Sequence, residues 1–426
     1  MPATMPPDNP SATLAADPLE IAKERPESAV RPAFVRWLDA DDDVATAVDA
    51  LASGTVVTVR SADVERRIVA HDDIPAGHKI AVRALAAGLR VRKYGECIGR
   101  LTCEVAEGAW VHDHNLVSTA VRDARDDAAW AGSGDVDVEA VGDVRADIGR
   151  SVVFDAHDER LWWVDAGRAS ALHGLHLSSG RHRAWTMREG VASVALASGH
   201  RLVVTTRGAV RLCDPVTGAL APLANADAEI RDHDFGPAIA DARGRLWCGA
   251  RPSGSSEAHA TLQRLDADGA LTRVASGWVA PGGIVVDAHG ATLLASDTRR
   301  GFVEAFDIHD DGTLGGRRVL ADLGALPGGP AGGALDADGC TWWTMCDGGA
   351  LLRLRPDGRL DRIIRLPVSR PTSCAFGGAG LARLLVTTAS RGTRAIDEPL
   401  AGRLLALDVG VTGRPAHAFT PDEAVR

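Results

Sequence analysis

The sequence predicts a mainly β protein: a small β domain followed by a six-bladed β-propeller. A hydrophobic strand recurs six times, as RLWWVD from 160, RLVVTT from 201, RLWCGA from 245, ATLLAS from 291, CTWWTM from 340 and ARLLVTT from 382, at offsets of 41, 44, 46, 49 and 42 residues. Each copy follows a small-residue apolar strand and a turn, such as IVVDAHG or GALDADG. A further strand comes after it, in several copies ending in Asp-Gly or Thr-Gly. No helical period interrupts a unit. Six strand-only units of ~44 residues suffice to close a ring of blades, and the missing helices argue against a solenoid.

Ahead of the repeats, residues 1–29 are rich in Pro, Ala and charge and read as a disordered tail. Asp42 to Ser53 predicts a short helix: Asp residues open it, Val44, Val48 and Leu51 share a face, and Gly54 follows as a stop. From Thr55 the pattern changes to short β runs, TVVTVR, RRIVA, KIAVRAL and LRVRKYG, separated by turns such as Pro75-Ala76-Gly77. The expected small domain is therefore 30–118. Residues 119–135 are charged, then Gly/Ser-rich, and read as a linker, with the propeller over 136–420. Within the blades, adjacent tryptophans such as Trp162-Trp163 and Trp342-Trp343 point to opposite faces of a strand and are expected to fill the spaces between neighbours.

The 426 residues allow two domains with sizeable cores. Lys plus Arg number 47 against 57 Asp plus Glu, and this acidic balance argues against nucleic acid as a partner. No apolar run reaches the ~18 residues of a membrane span, and the first residues lack a secretory pattern. The seven cysteines have no C-x-x-C pair, so they read as reduced thiols in a cytoplasm rather than as a zinc site or disulfide frame.

DERLWWVDA (158–166), AFDIHDDGTLGGRRVLADL (305–323) and LPVSRPTSCAFGG (366–378) resemble the gluconolactonase/regucalcin family of six-bladed propellers. The resemblance spans about Val136 to Phe419. It implies a divalent cation at one channel mouth, held by a Glu, an Asn and an Asp, that polarises a lactone carbonyl and activates water. Matched by motif, the Glu falls on Arg150, the Asn on Gly282 and the Asp on Ala331, while a substrate-contacting Asn falls on Gly236. Asp297 keeps a family Asp. A unit charge ~4 Å from a divalent ion is worth roughly 8 kcal/mol at a dielectric of ~20, here with the repulsive sign. No cofactor is therefore expected in the propeller. Either the channel binds or docks without catalysis, or Arg150 is the electrophile for a carboxylate or lactone oxygen, with Asp297 or Asp234 as a catalytic base and His233 at the substrate.

The strings Asp73-Ile74-Pro75-Ala76-Gly77-His78-Lys79, Lys93-Tyr94-Gly95-Glu96-Cys97-Ile98-Gly99 and Trp110-Val111-His112-Asp113-His114-Asn115 resemble the SAF-type β-clip domain of altronate/galactarate dehydratases. That resemblance implies elimination of water from acidic sugars, with a divalent metal. His112 and His114, at i and i+2, would share one face of a strand as metal ligands, and His78 and Lys79 would meet substrate from a Gly turn. The family's large catalytic domain is not in this chain. The preferred expectation is an accessory or substrate-binding component of a sugar-acid dehydratase, working with a separate large subunit. The alternative is a metal-independent sugar lactonase centred on Arg150. Either way the small-molecule partner is a sugar acid or lactone, and neither nucleic acid nor membrane is expected.

Overall fold

Strands buried on both faces dominate the chain, because each blade is covered by a neighbour on either side. The computed structural model describes residues 33–61, 64–94, 96–118, 136–225, 232–253 and 258–422. The expected tail at 1–29 and linker at 119–135 lie outside the described residues. Ala33–Arg426 forms one compact unit. No helix among the described residues is long and apolar enough to cross a membrane.

Six sheets form the blades, antiparallel except where the short strand Ala418–Phe419 adds in parallel to the edge of blade II, and their inner strands are Gly149–Asp155, Ser193–Ala197, His233–Ala240, Pro281–Val286, Gly329–Leu335 and Pro371–Gly377 (blades I to VI). Successive inner strands touch, and the last returns to the first, closing the ring around a channel. The six repeated hydrophobic strands are the second strands of these sheets. Backbone hydrogen bonds between the start and the end of the repeat region also close the ring. Val138–Val141, from before blade I, pairs with Leu404–Leu407 and is the outermost strand of blade VI.

The tryptophan pairs pack as expected. Trp162 packs with Val194 and Leu202 of blade II, whereas Trp163 packs with Leu385 and Leu404 of blade VI. Trp343 faces Val285 and Val303 of blade IV, and Trp342 faces Phe376 and Leu384 of blade VI. The Trp342 indole N–H donates to the buried Asp336 carboxylate at 3.0 Å, so the polar end of this buried ring is satisfied.

The N-terminal unit contains a four-stranded sheet (Val35–Arg36, Val44–Ala47, Lys79–Ala81, Trp110–Val111), a hairpin (Val56–Ser61, Val64–Val69) and a three-stranded sheet (Arg90–Lys93, Glu96–Leu101, Leu116–Ser118). Gly108 shows how tightly it is folded: at φ +82°, an added Cβ would sit 2.0 Å from the Val69 carbonyl. The helix expected from Asp42 to Ser53 does not form. Val44, Ala45 and Ala47 are all buried and Val44–Ala47 is a central strand, paired on both sides, so sheet pairing and burial override the helical spacing. Asp42 and Asp43, which read as a helix start, are buried hydrogen-bond acceptors instead.

Candidate functional site

The first residues of the inner strands are small or irregular, and that shapes one mouth of the channel. Register shifts interrupt the inner strands between Arg150 and Val153, Phe235 and Ala238, Pro281 and Ile284, and Pro330 and Gly333. Positions 236, 282 and 331 therefore lie within bulges and Arg150 borders one, a device that re-aims side chains at a rim. Ser151 beside Arg150 takes the left-handed φ of +56° and its hydroxyl accepts the Val194 N–H at 3.0 Å, which pins this turn to blade II.

The channel encloses a cavity of about 890 Å³. At the mouth near Arg150 the N-terminal unit contributes Asp39, Asp41, Arg83 and Arg92 to its wall. The roof is held by ion pairs. Asp43 receives Arg83 at 3.2 Å and also Arg299 of the propeller, while Asp347 receives Arg92 of the N-terminal unit and Arg370 at 2.9 Å. Burial raises the Asp347 carboxyl, but Arg92 and Arg370 outweigh it and hold it below the usual carboxylate range. At the far end, Gly413 bridges Asp336 beyond the blade V inner strand and Ala418–Phe419 joins the blade II inner strand, so the C-terminal segment crosses the channel and places Arg414 and His417 in its wall.

Most charges on this wall are matched. Arg391 pairs with Asp147 at 2.6 Å and Arg207 with Asp234 at 3.2 Å. Arg150 and Arg251 are different: among the described residues no side chain or carbonyl accepts from either guanidinium. Arg150 reaches cavity solvent yet lies deep among protein atoms. That burial, then the charge of Arg251, pushes its guanidinium below its ordinary value. Cys346 shares the cavity, and burial pushes its thiol up, keeping it neutral.

The three positions matched to the family's ligands offer no donor to the cation that the resemblance implies. Arg150 is a cation, Ala331 has no donor atom, and a Cβ at Gly282 would lie 2.2 Å from the Thr298 hydroxyl oxygen and 2.7 Å from the Pro330 carbonyl. Space for a ligating side chain is thus already occupied at 282. Among the described residues, the His, Cys, Asp and Glu groups whose ligand atoms gather in threes comprise His157, Asp158 and His200 alone, all exposed and on turns at the opposite end of blades I and II.

The sequence-derived candidates divide between three places. Arg150 and Asp234 line the channel cavity together, but His233, at the start of the blade III inner strand, does not. Asp297, expected as a catalytic base, is fully buried and serves the backbone. It accepts N–H groups of Val279 at 2.8 Å, Ala280 at 3.2 Å, Arg299 at 3.1 Å and Arg300 at 3.2 Å, so it holds a loop rather than facing the channel. Burial pushes its carboxyl up, against those donors.

His78, Lys79, His112 and His114 are elsewhere on the N-terminal unit. His112 to Asn115 is a turn and not a strand, closed by Asn115 N–H to the His112 carbonyl at 2.9 Å, so the two histidines do not share a strand face. They meet the Trp110 ring instead, at centroid distances of 5.1 and 5.4 Å, and the Trp110 indole N–H donates to His78 Nδ1 at 3.3 Å. Burial and nearby Lys93 push the Lys79 ammonium below its ordinary value. Sequence reasoning missed Arg251 and Asp41 because neither lies in a motif; only ring closure and the roof bring them to Arg150.

The family described as SMP-30/Gluconolactonase/LRE-like region matches residues 148–390. The chain belongs to this family. The Altronate/galactarate dehydratase SAF domain matches residues 33–119, so the lactonase-like propeller carries a dehydratase-associated SAF domain. Among curated members, a 6-deoxy-6-sulfogluconolactonase of Pseudomonas putida is 30% identical over 62% of this chain and 92% of its own length. The pentonolactonase XacC of Haloferax volcanii is 30% identical over 65% of this chain and 96% of its own. A solved calcium-binding regucalcin from Agrobacterium tumefaciens superposes with a TM-score of 0.63 at 23% identity, over 67% of this chain and 97% of that one, a likeness of fold.

Proposed function

We propose that the channel opens a sugar lactone without a metal, Arg150 polarising the lactone carbonyl and stabilising the oxyanion that forms. The observation that carries this reading is the pair of guanidiniums, Arg150 and Arg251, without an acceptor among the described residues, in a roofed cavity whose other arginines are engaged by carboxylates or, for Arg414, by backbone carbonyls. A desolvated guanidinium donates two aligned N–H groups to a developing oxyanion and serves the electrostatic role otherwise filled by a Lewis acid. Similarity to named lactonases supports the substrate class. The test is a pH-stat assay on a panel of aldonolactones and aldarolactones, with and without chelator. Chelator-insensitive hydrolysis that falls ~10²–10³-fold in Arg150→Ala is expected, the range for losing one oxyanion donor. Metal-dependent hydrolysis, or an unaffected Arg150→Ala variant, overturns the reading.

A second reading rests on the SAF match and on the His78, Trp110, His112 and His114 cluster, which lies off the cavity wall. In it the chain is an accessory to a sugar-acid dehydratase, and that cluster meets substrate or a divalent metal at a separate large subunit. Dehydration of a sugar acid only when this chain and such a subunit are combined supports it. Equal turnover by the large subunit alone excludes it.

A further inference from the structure

Lactone hydrolysis needs a group to take a proton from water, and at the mouth near Arg150 the propeller offers poor ones; His417 is in the cavity wall but on the segment that crosses the far end. Asp297 is turned to the backbone, as described above. Asp234 lines the cavity but is engaged by Arg207. Glu189 is held by Arg211 at 3.2 Å. Cys346 is kept protonated by burial.

The roof offers a better one. Asp41 lies in a turn preceding the strand Val44–Ala47, on the wall of the same cavity as Arg150 and Arg251. Its backbone is fixed twice: its N–H donates to Asp39 Oδ1 at 2.9 Å, and its carbonyl accepts from Arg83 at 2.9 Å. Its carboxylate is exposed to the cavity and accepts no hydrogen bond from any described residue. Among acidic groups of the mouth it is thus held in place while its oxygens stay available.

We infer that the SAF domain completes the lactonase site in cis, with the Asp41 carboxylate as the general base in the cavity it shares with Arg150. The inference rests on the lactonase reading above. In the step, Asp41 takes a proton from water as the water oxygen bonds to the lactone carbonyl carbon, and Arg150 holds the resulting oxyanion. The carbonyl re-forms as the ring C–O bond breaks, and the proton on Asp41 passes to the departing ring oxygen. The product is the open hydroxy acid, and water is the sole co-reactant. The proximity is also felt electrostatically: the Asp41 charge acts on the guanidiniums of Arg150, Arg83, Arg92 and Arg391.

The experiment compares the full chain with Asp41→Asn and Arg150→Ala on the lactone that the wild type hydrolyses fastest, with melting temperatures as a folding control. Asp41→Asn is expected to lower kcat ~10²–10⁴-fold with KM nearly unchanged. An unchanged kcat, or a raised KM with kcat intact, overturns the base role and leaves the Arg150 reading standing. If Arg150→Ala is as active as wild type, or the wild type hydrolyses no lactone in the panel, both inferences fall. An Asp41→Glu variant that keeps part of the rate argues against mere roof damage, whereas an equally dead Asp41→Glu variant with a lowered melting temperature counts against the assignment.

Discussion

Replacing Asp43 by Asn should loosen the roof. The carboxylate is fully buried and is reached from three directions: by Arg83 at 3.2–3.3 Å, by the backbone N–H of Arg92 at 2.8 Å and by Arg299 of the propeller. An amide of the same shape loses the negative charge and turns an NH2 donor toward one of the two guanidiniums, which reach different carboxylate oxygens. Arg83 and Arg299, whose side chains are only 10% and 15% exposed, would then share a pocket without an anion. Burial already pushes the Arg83 guanidinium below its ordinary value despite Asp43. Removing one partner of a buried pair costs about 3–5 kcal/mol. The cost falls on the seam between roof and propeller, so native-state hydrogen exchange at Val44–Ala47 and Lys79–Ala81 should quicken by ~10²–10⁴-fold, while the inner propeller strands change less. A change below about tenfold at those strands would refute the argument that Asp43 clamps the SAF domain to blade IV.

Other predictions concern charge and packing. Burial, with help from His182, pushes His173 down to about 4, so it is neutral in the fold but takes a proton when unfolded. Stability should therefore be full above the ordinary histidine value of ~6.5 and fall by on the order of 3 kcal/mol as pH drops towards about 4; His173→Phe, which can keep the stack on Trp163, should flatten that part of a melting-temperature profile. Asp347 behaves differently. Its lowered pKa lends stability that is present above the ordinary carboxylate value of 3.8 and disappears only below it, so roof protection factors, with the intrinsic exchange rate at each pH divided out, should stay level from pH 7 to 4. Trp343→Ala, at a fully buried position between blades IV and V, should lower unfolding free energy by ~3–5 kcal/mol in chemical denaturation. Arg251→Ala should weaken a carboxylate-bearing lactone more than a neutral one, read as the ratio of their KM values, because Arg251 supplies the second unmatched cation.

How much of this was legible from the chain can be traced through particular residues. Six repeated strands and paired tryptophans were sufficient for the propeller, since a strand buried on both faces must be apolar at every position. Arg150, Gly282 and Ala331 could be placed at one mouth through motif matching alone. The strand at Val44–Ala47 was not legible, because four small and β-branched residues after two aspartates fit a helix equally well until Val35–Arg36 and Lys79–Ala81 pair with them. Asp297 was misread for a related reason: sequence shows a carboxylate but not the four N–H groups that consume its acceptors.

By itself the sequence determined local and periodic properties: strand chemistry, the number of blades, an arginine where a carboxylate was expected, and a SAF domain ahead of the ring. Tertiary structure decided which charges remain unmatched. Asp41 and Arg150 are separated by more than a hundred residues, and no spacing rule joins them. They come to one cavity because Asp43 and Asp347 clamp the N-terminal unit to the propeller. Whether a carboxylate is a base, a clamp or a backbone acceptor depends on the donors around it, and those donors are brought together only by folding.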